Sequence, residues 1–158
     1  MRPIAIALSL IVLTAACEQS KDPFLFGIGG SGGLTQTQAS GGWSFTVHPS
    51  NALACSSGSL TDGALVTAQL DVLTDGTLSA QSFWQSPGST TSLPVSGAIT
   101  LSSGVSDIFL TSTSGSEMEL RGTMTSAGSF NGTLTDPAPG FLPVFAACIY
   151  TTTGVRAG

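Results

Sequence analysis

From Trp43 onward the chain alternates apolar and polar side chains residue by residue, and a period of two fits one kind of backbone. In a strand, successive side chains point to opposite faces, so alternation buries one face and wets the other; a helix would need a period of 3.6. Trp43, Phe45 and Val47 alternate with Ser44, Thr46 and His48. Val66, Ala68, Leu70 and Val72 alternate with Thr67, Gln69 and Asp71. The clearest case is 117–126, where Met118, Leu120 and Met124 face one way and Glu117, Glu119, Arg121, Thr123 and Thr125 the other.

The remaining segments follow the same rule. A return strand over 77–84 places Leu78, Ala80 and Trp84 together, after Asp75-Gly76, a tight-hairpin signal in which both central residues would take positive φ. Strands over 94–102, 105–113 and 129–136 carry Val95, Ile99 and Leu101, then Ile108 and Leu110, then Phe130 and Leu134 inward. Pro87-Gly88 and Ala127-Gly128 mark connections, and three prolines fill the loop 137–143. A last apolar run covers 144–153. Gly97, Gly122 and Gly132 fall on inward positions, where glycine marks a bulge or a sharp bend of a strongly coiled sheet.

The pattern predicts an all-β chain of eight strands in an antiparallel up-and-down meander, with no segment of helical period. Eight strands suffice to close a small barrel, and closure removes exposed edges. A two-sheet β-sandwich is the alternative architecture. The domain so defined covers 42–158, preceded by a Gly/Ser-rich tether over 17–41 that the apolar residues Phe24, Leu25, Phe26 and Ile28 interrupt.

The amino terminus says where the chain goes. Arg2 precedes an apolar run over 4–13, and Ala15-Ala16-Cys17 follows. The run is too short for a spanning helix, which needs about 20 apolar residues. This stretch resembles the signal peptide and lipobox of bacterial lipoproteins. The resemblance implies a signal peptide over 1–16, cleavage before Cys17, and acylation (palmitate among the chains) of Cys17. Glu18 stands where such proteins carry the Asp that favours inner-membrane retention, so the resemblance implies an outer-membrane lipoprotein of the cell envelope, facing the periplasm or the cell surface.

With the signal gone, nine acidic residues stand against Lys21, Arg121 and Arg156. No basic patch exists to attract nucleic acid, and no polybasic run to hold anionic lipid, so the expected membrane contact is the acyl anchor alone. Only 8% of residues are charged, which leaves solubility to hydroxyl and amide side chains and leaves few groups for catalysis or metal binding.

Cys55 and Cys148 remain once Cys17 is assigned. An even pair in an oxidising compartment predicts a disulfide. It would close a loop of about 94 residues, on the order of 4–5 kcal/mol in the loop-entropy account. Cys55 follows the first strand and Cys148 lies in the last, and those strands are neighbours only if the sheet closes or its ends pack together.

Several motifs match chemistry by pattern and fail by context. Gly27-Ile28-Gly29-Gly30-Ser31-Gly32 has dinucleotide spacing, but no helix follows to receive a pyrophosphate. His48 is the single histidine; no serine sits in a G-x-S-x-G elbow, so a solvated side chain beside a turn is expected rather than a Ser–His–Asp triad. One histidine and two bridged cysteines make a poor zinc set. Glu117 and Glu119 lie about 7 Å apart along one strand face, a spacing that suits paired-acid chemistry but equally a solvated face with Arg121 as counter-charge. Asp62, Asp71 and Asp75 have no calcium-loop spacing. Asn131-Gly132-Thr133 matches a glycosylation sequon, which a bacterial lipoprotein does not use. The expectation is no catalytic residue, no metal and no cofactor.

Gly41-Gly42-Trp43 opens the first strand. It resembles the G-x-W that begins lipocalins and their eight-stranded relatives, which implies a tryptophan packed across the barrel floor and, often, a small apolar ligand inside. Two functions are therefore expected: a structural or protein-interaction role on an envelope partner, with a filled core, or a binding protein for a small apolar ligand. Barrel volume discriminates them.

Overall fold

The computed structural model describes residues 33–51, 55, 60–112, 114–137 and 147–157. Eight strands form one closed antiparallel barrel in sequence order: β1 (Gly41–Pro49), β2 (Ala64–Leu70), β3 (Phe83–Gln85), β4 (Leu93–Thr100), β5 (Val105–Thr111), β6 (Glu117–Met124), β7 (Ser129–Asp136) and β8 (Cys148–Arg156). Closure is made by β1 and β8, which pair from Trp43↔Arg156 to Pro49↔Tyr150. The barrel replaces the sandwich alternative, and the cysteines lie where closure requires: Cys55 and Cys148 are bridged, with Cα atoms 4.7 Å apart.

The alternation sets the register. Trp43, Phe45, Val47, Val66, Ala68 and Leu70 point inward from the first two strands, and Ile108, Leu110, Met118, Leu120, Met124, Phe130 and Leu134 from the later ones; all are buried. Three interior residues escape a reading based on hydrophobicity. Ser106 is fully buried and its hydroxyl donates to the Gly122 carbonyl at 3.2 Å; Thr152 is buried and its hydroxyl donates to the Tyr150 carbonyl; Tyr150 is buried and its hydroxyl donates to the Leu60 carbonyl at 3.2 Å. Each meets the rule that a buried polar group finds a partner.

Five sequence expectations need correction. The return strand over 77–84 is short: only Phe83–Gln85 joins the sheet, with isolated bridges Val72↔Leu78 and Thr77↔Ala98. Side chains hold the intervening excursion instead, Ser82 Oγ accepting from the Asp71 amide and Ser79 donating to the Asp71 carboxylate. The second strand ends at Leu70 rather than Val72, which is buried within that excursion. The last strand begins at Cys148 and runs on to Arg156, past the apolar run that announced it; positions 144–146 lie outside the described residues. The Asp75-Gly76 turn is not the mirror-image type, since only Gly76 has positive φ, at 89°. Gly76 N–H bonds Leu73 O and Leu73 N–H bonds Thr77 O, a type I turn followed by a left-handed glycine.

The fifth correction is to the tether. Its carboxyl end, assigned to 17–41, is part of the barrel. Gln36–Ala39 forms a helical turn, α1, with a capping box: the Thr35 hydroxyl accepts from Gln38 N–H and the Gln38 side chain accepts from Thr35 N–H. Leu34 and Ala39 are buried in the core cluster. One turn is too short to show a 3.6 period, so the sequence pattern gave no sign of it. Positions 17–32, Cys17 among them, lie outside the described residues, as does the signal stretch.

Candidate functional site

The interior of the barrel is the first place to look for a ligand, and side chains occupy it. Trp43 stacks on Phe45 with centroids 6.1 Å apart, and Phe45 meets Phe130 edge-on at 5.2 Å. Glycines on the inner wall make room for these rings. A Cβ on Gly154 would lie 2.6 Å from Cδ1 of Phe45, and one on Gly122 would lie 2.5 Å from Cζ of Phe130. Gly122 and Gly132 face each other across β6 and β7 beneath that ring. The small inward residues therefore fit large neighbours rather than surround empty space.

Hydrogen bonds tie the chain across each end of the barrel. At one end Trp43 Nε1 donates to Ala39 O at 2.9 Å, Gln36 Nε2 donates to Val72 O at 2.7 Å, and Arg156 Nε donates to Ser40 O at 2.8 Å. The Gly41-Gly42-Trp43 motif has its reason here. Gly41 holds φ at 114°, and a Cβ would sit 3.2 Å from Arg156 Nε. At the other end Asn51 organises the cover: its Nδ2 donates to Ala147 O at 3.0 Å and its Oδ1 accepts from Ile149 N–H at 2.9 Å, beside the Cys55–Cys148 bridge.

On the outer wall the sequence-selected polar residues separate. His48 Nδ1 lies 2.8 Å from Asp62 Oδ1, and both side chains are more than half exposed. This is a solvent-exposed side-chain contact beside a turn. Asp71 and Asp75 are each engaged locally, Asp71 by Ser79 and Asp75 by the Thr77 amide and hydroxyl. Those Thr77 hydrogen bonds hold the Asp75 carboxyl below its ordinary pKa. Among the described residues no group of three or more His, Cys, Asp or Glu side chains could hold a metal. Asn131 is exposed on β7. The glycine-rich run 27–32 lies outside the described residues.

One outer-wall cluster differs from the sequence expectation. Strand alternation puts Glu119 on a solvated face; it is on the outer face but 8% exposed. Phe109 and Thr135 stand directly opposite it on the neighbouring strands. Arg121 Nη2 lies 3.2 Å from Glu119 Oε1 and 2.9 Å from Asp107 Oδ2. Asp107 Oδ1 is buried without a hydrogen-bond partner. Burial raises the Glu119 pKa, Arg121 opposes the rise, and the adjacent Asp107 adds to it. The hydrophobic pattern of one strand cannot show this, because the neighbours of Glu119 across the sheet come from strands on either side.

Two depressions mark the outside. One of about 480 Å³ lies near α1 and is walled by Ser40, Gln69, Asp71, Gln81, Phe83 and Arg156. The other, about 260 Å³, meets it at Gln69 and Phe83 and continues past Thr67 and Gln85.

The class these observations define is a closed eight-stranded up-and-down β-barrel with a packed interior, consistent with the lipocalin-like barrels that the Gly41-Gly42-Trp43 motif resembles. No protein-family model, curated protein or solved structure matches the chain.

Proposed function

We propose that this chain is a lipid-anchored envelope protein of the outer membrane that acts by binding a protein partner with the outside of its barrel. The observation that supports this reading is the packed interior: Phe45 and Phe130 meet edge-on inside the barrel, and the inward glycines Gly122 and Gly154 leave room for their rings. A binding protein for small molecules needs a cavity of about 300–1,000 Å³ burying most of the ligand. The exported location rests on the lipobox resemblance at Cys17, and no catalytic role is assigned to any residue.

The experiment is a pull-down from detergent-solubilised envelope with the full chain as bait, joined to native mass spectrometry of the purified bait. A protein partner retained at near-stoichiometric level, on a bait free of small molecules, is the expected result. A bait that carries one small molecule per chain, released on unfolding, would overturn the reading in favour of a ligand-binding barrel.

A further inference from the structure

The 480 Å³ depression exists because β3 is only three residues long. β2 and β3 pair from Thr67↔Gln85 to Gln69↔Phe83, and beyond Phe83 the chain leaves the sheet. The wall therefore dips between the end of β2 and the rim carrying α1. Phe83 stands in the dip, 37% exposed, with the Gln69 and Gln81 side chains on its lining.

Arg156 supplies the charge. Among the described residues it is the one arginine without a carboxylate partner, since Arg121 is taken by Asp107 and Glu119. Its Nε is fixed on Ser40 O, and the missing side chain of Gly41 leaves the backbone close beneath the guanidinium. The Nη groups are thus held in place with no anion. A planar, pre-oriented guanidinium is suited to a carboxylate, which it can bind through two parallel hydrogen bonds. The formal charge of the whole chain is −5, so the overall field opposes an acidic partner and its attraction must be local, at Arg156. Asp71 lines the same depression, with one carboxylate oxygen engaged by Ser79. It and the glutamine amides can accept and donate along an extended backbone.

We propose that this groove receives an extended segment of a protein partner, an Asp or Glu carboxylate on Arg156 and a neighbouring apolar side chain on Phe83. The inference rests on the reading of the chain as a protein-binding module and names the part of the surface that would carry it. The second depression, joined at Phe83, continues the track along Thr67 and Gln85 for the rest of the segment.

The test is an NMR titration of the full chain in detergent with the blocked peptide Ac-Gly-Glu-Phe-Gly-NH2, its Glu→Gln analogue, and sodium acetate. The Glu peptide should shift the Gln69 and Gln81 side-chain amides and the Arg156 guanidinium, and bind at least about tenfold more tightly than the Gln analogue, as expected for a hydrogen bond to a charged group. Arg156→Gln should weaken the Glu peptide by a similar factor. Because that variant also removes the bond to Ser40, Phe83→Ser serves as a second variant away from α1; it too should weaken the peptide, with the Trp43 indole resonance unmoved. Equal binding of the two peptides, shifts elsewhere on the barrel, or acetate binding as well as the Glu peptide would each overturn the proposal. Envelope pull-downs with both variants separate it from the reading beneath it. A partner captured equally by wild type, Arg156→Gln and Phe83→Ser overturns the groove alone. No partner on any bait overturns the protein-binding reading, while the peptide titration still decides whether the groove binds its probe.

Discussion

Gly154→Ala puts the packed interior to its most direct test. Gly154 sits on the inner face of β8, paired with Phe45 on β1 and Phe130 on β7. Its φ is not in the left-handed region, so a methyl group costs nothing in backbone conformation. In a strand with space around it, alanine for glycine should stabilise by about 0.5–1 kcal/mol. Here the added Cβ meets Phe45 Cδ1 at 2.6 Å, Phe45 Cε1 at 2.9 Å and Phe130 Cβ at 3.1 Å. All three are side-chain atoms, so the penalty measures whether those rings can move. Overpacking a well-filled core costs about 1–3 kcal/mol. Offsetting the glycine term leaves a net loss of up to about 2.5 kcal/mol, centred near 1 kcal/mol, read from urea unfolding of the purified chain. Phe45→Leu on the same background should recover part of it, with a coupling of at least about 0.5 kcal/mol in the double-mutant cycle. A Gly154→Ala chain as stable as wild type or more so, with no coupling to Phe45, would mean the rings swing into free space, and the argument against an interior ligand would fail.

Four further outcomes are expected. Leu120→Ala should cost about 2–5 kcal/mol in the same unfolding assay, as for a buried leucine, and a smaller loss than for Thr123→Ala on the opposite face would place β6 one residue out of register. The Glu119 pKa is raised on folding, so its contribution to stability is fully present below the ordinary glutamate range and is lost as pH rises through the folded value; Glu119→Gln should flatten the stability profile above pH 4.5, and an unchanged profile would refute the burial argument. Non-reducing peptide mapping should find Cys55 linked to Cys148, and reduction should lower stability by roughly 4–5 kcal/mol; free alkylation of both without reductant would contradict the bridge. Intact-mass analysis of the protein from membranes should show a chain beginning at an acylated Cys17, with Cys17→Ala released or unprocessed; a mature terminus elsewhere without acyl mass would remove the anchor.

Strand number, order and register are determined by sequence alone where the side chains alternate. Met118, Leu120 and Met124 lie inward because a one-residue slip would turn all three into water. The cysteine pair was legible on a different ground, as an even pair in a chain read as exported, and its members fall after the first strand and in the last. What alternation does not encode, only the tertiary structure decided. β3 shrinks to three residues because side-chain bonds among Asp71, Ser79 and Ser82 compete with the ladder. Glu119 is buried although its parity is outward, and its direct neighbours across the sheet, Phe109 and Thr135, belong to other strands. A small inward residue such as Gly154 reads equally as a cavity or as room for a ring, and the choice depends on which aromatic side chains closure brings opposite it. The groove at Arg156 depends likewise on the last strand meeting the turn before the first, contacts separated by more than a hundred residues along the chain.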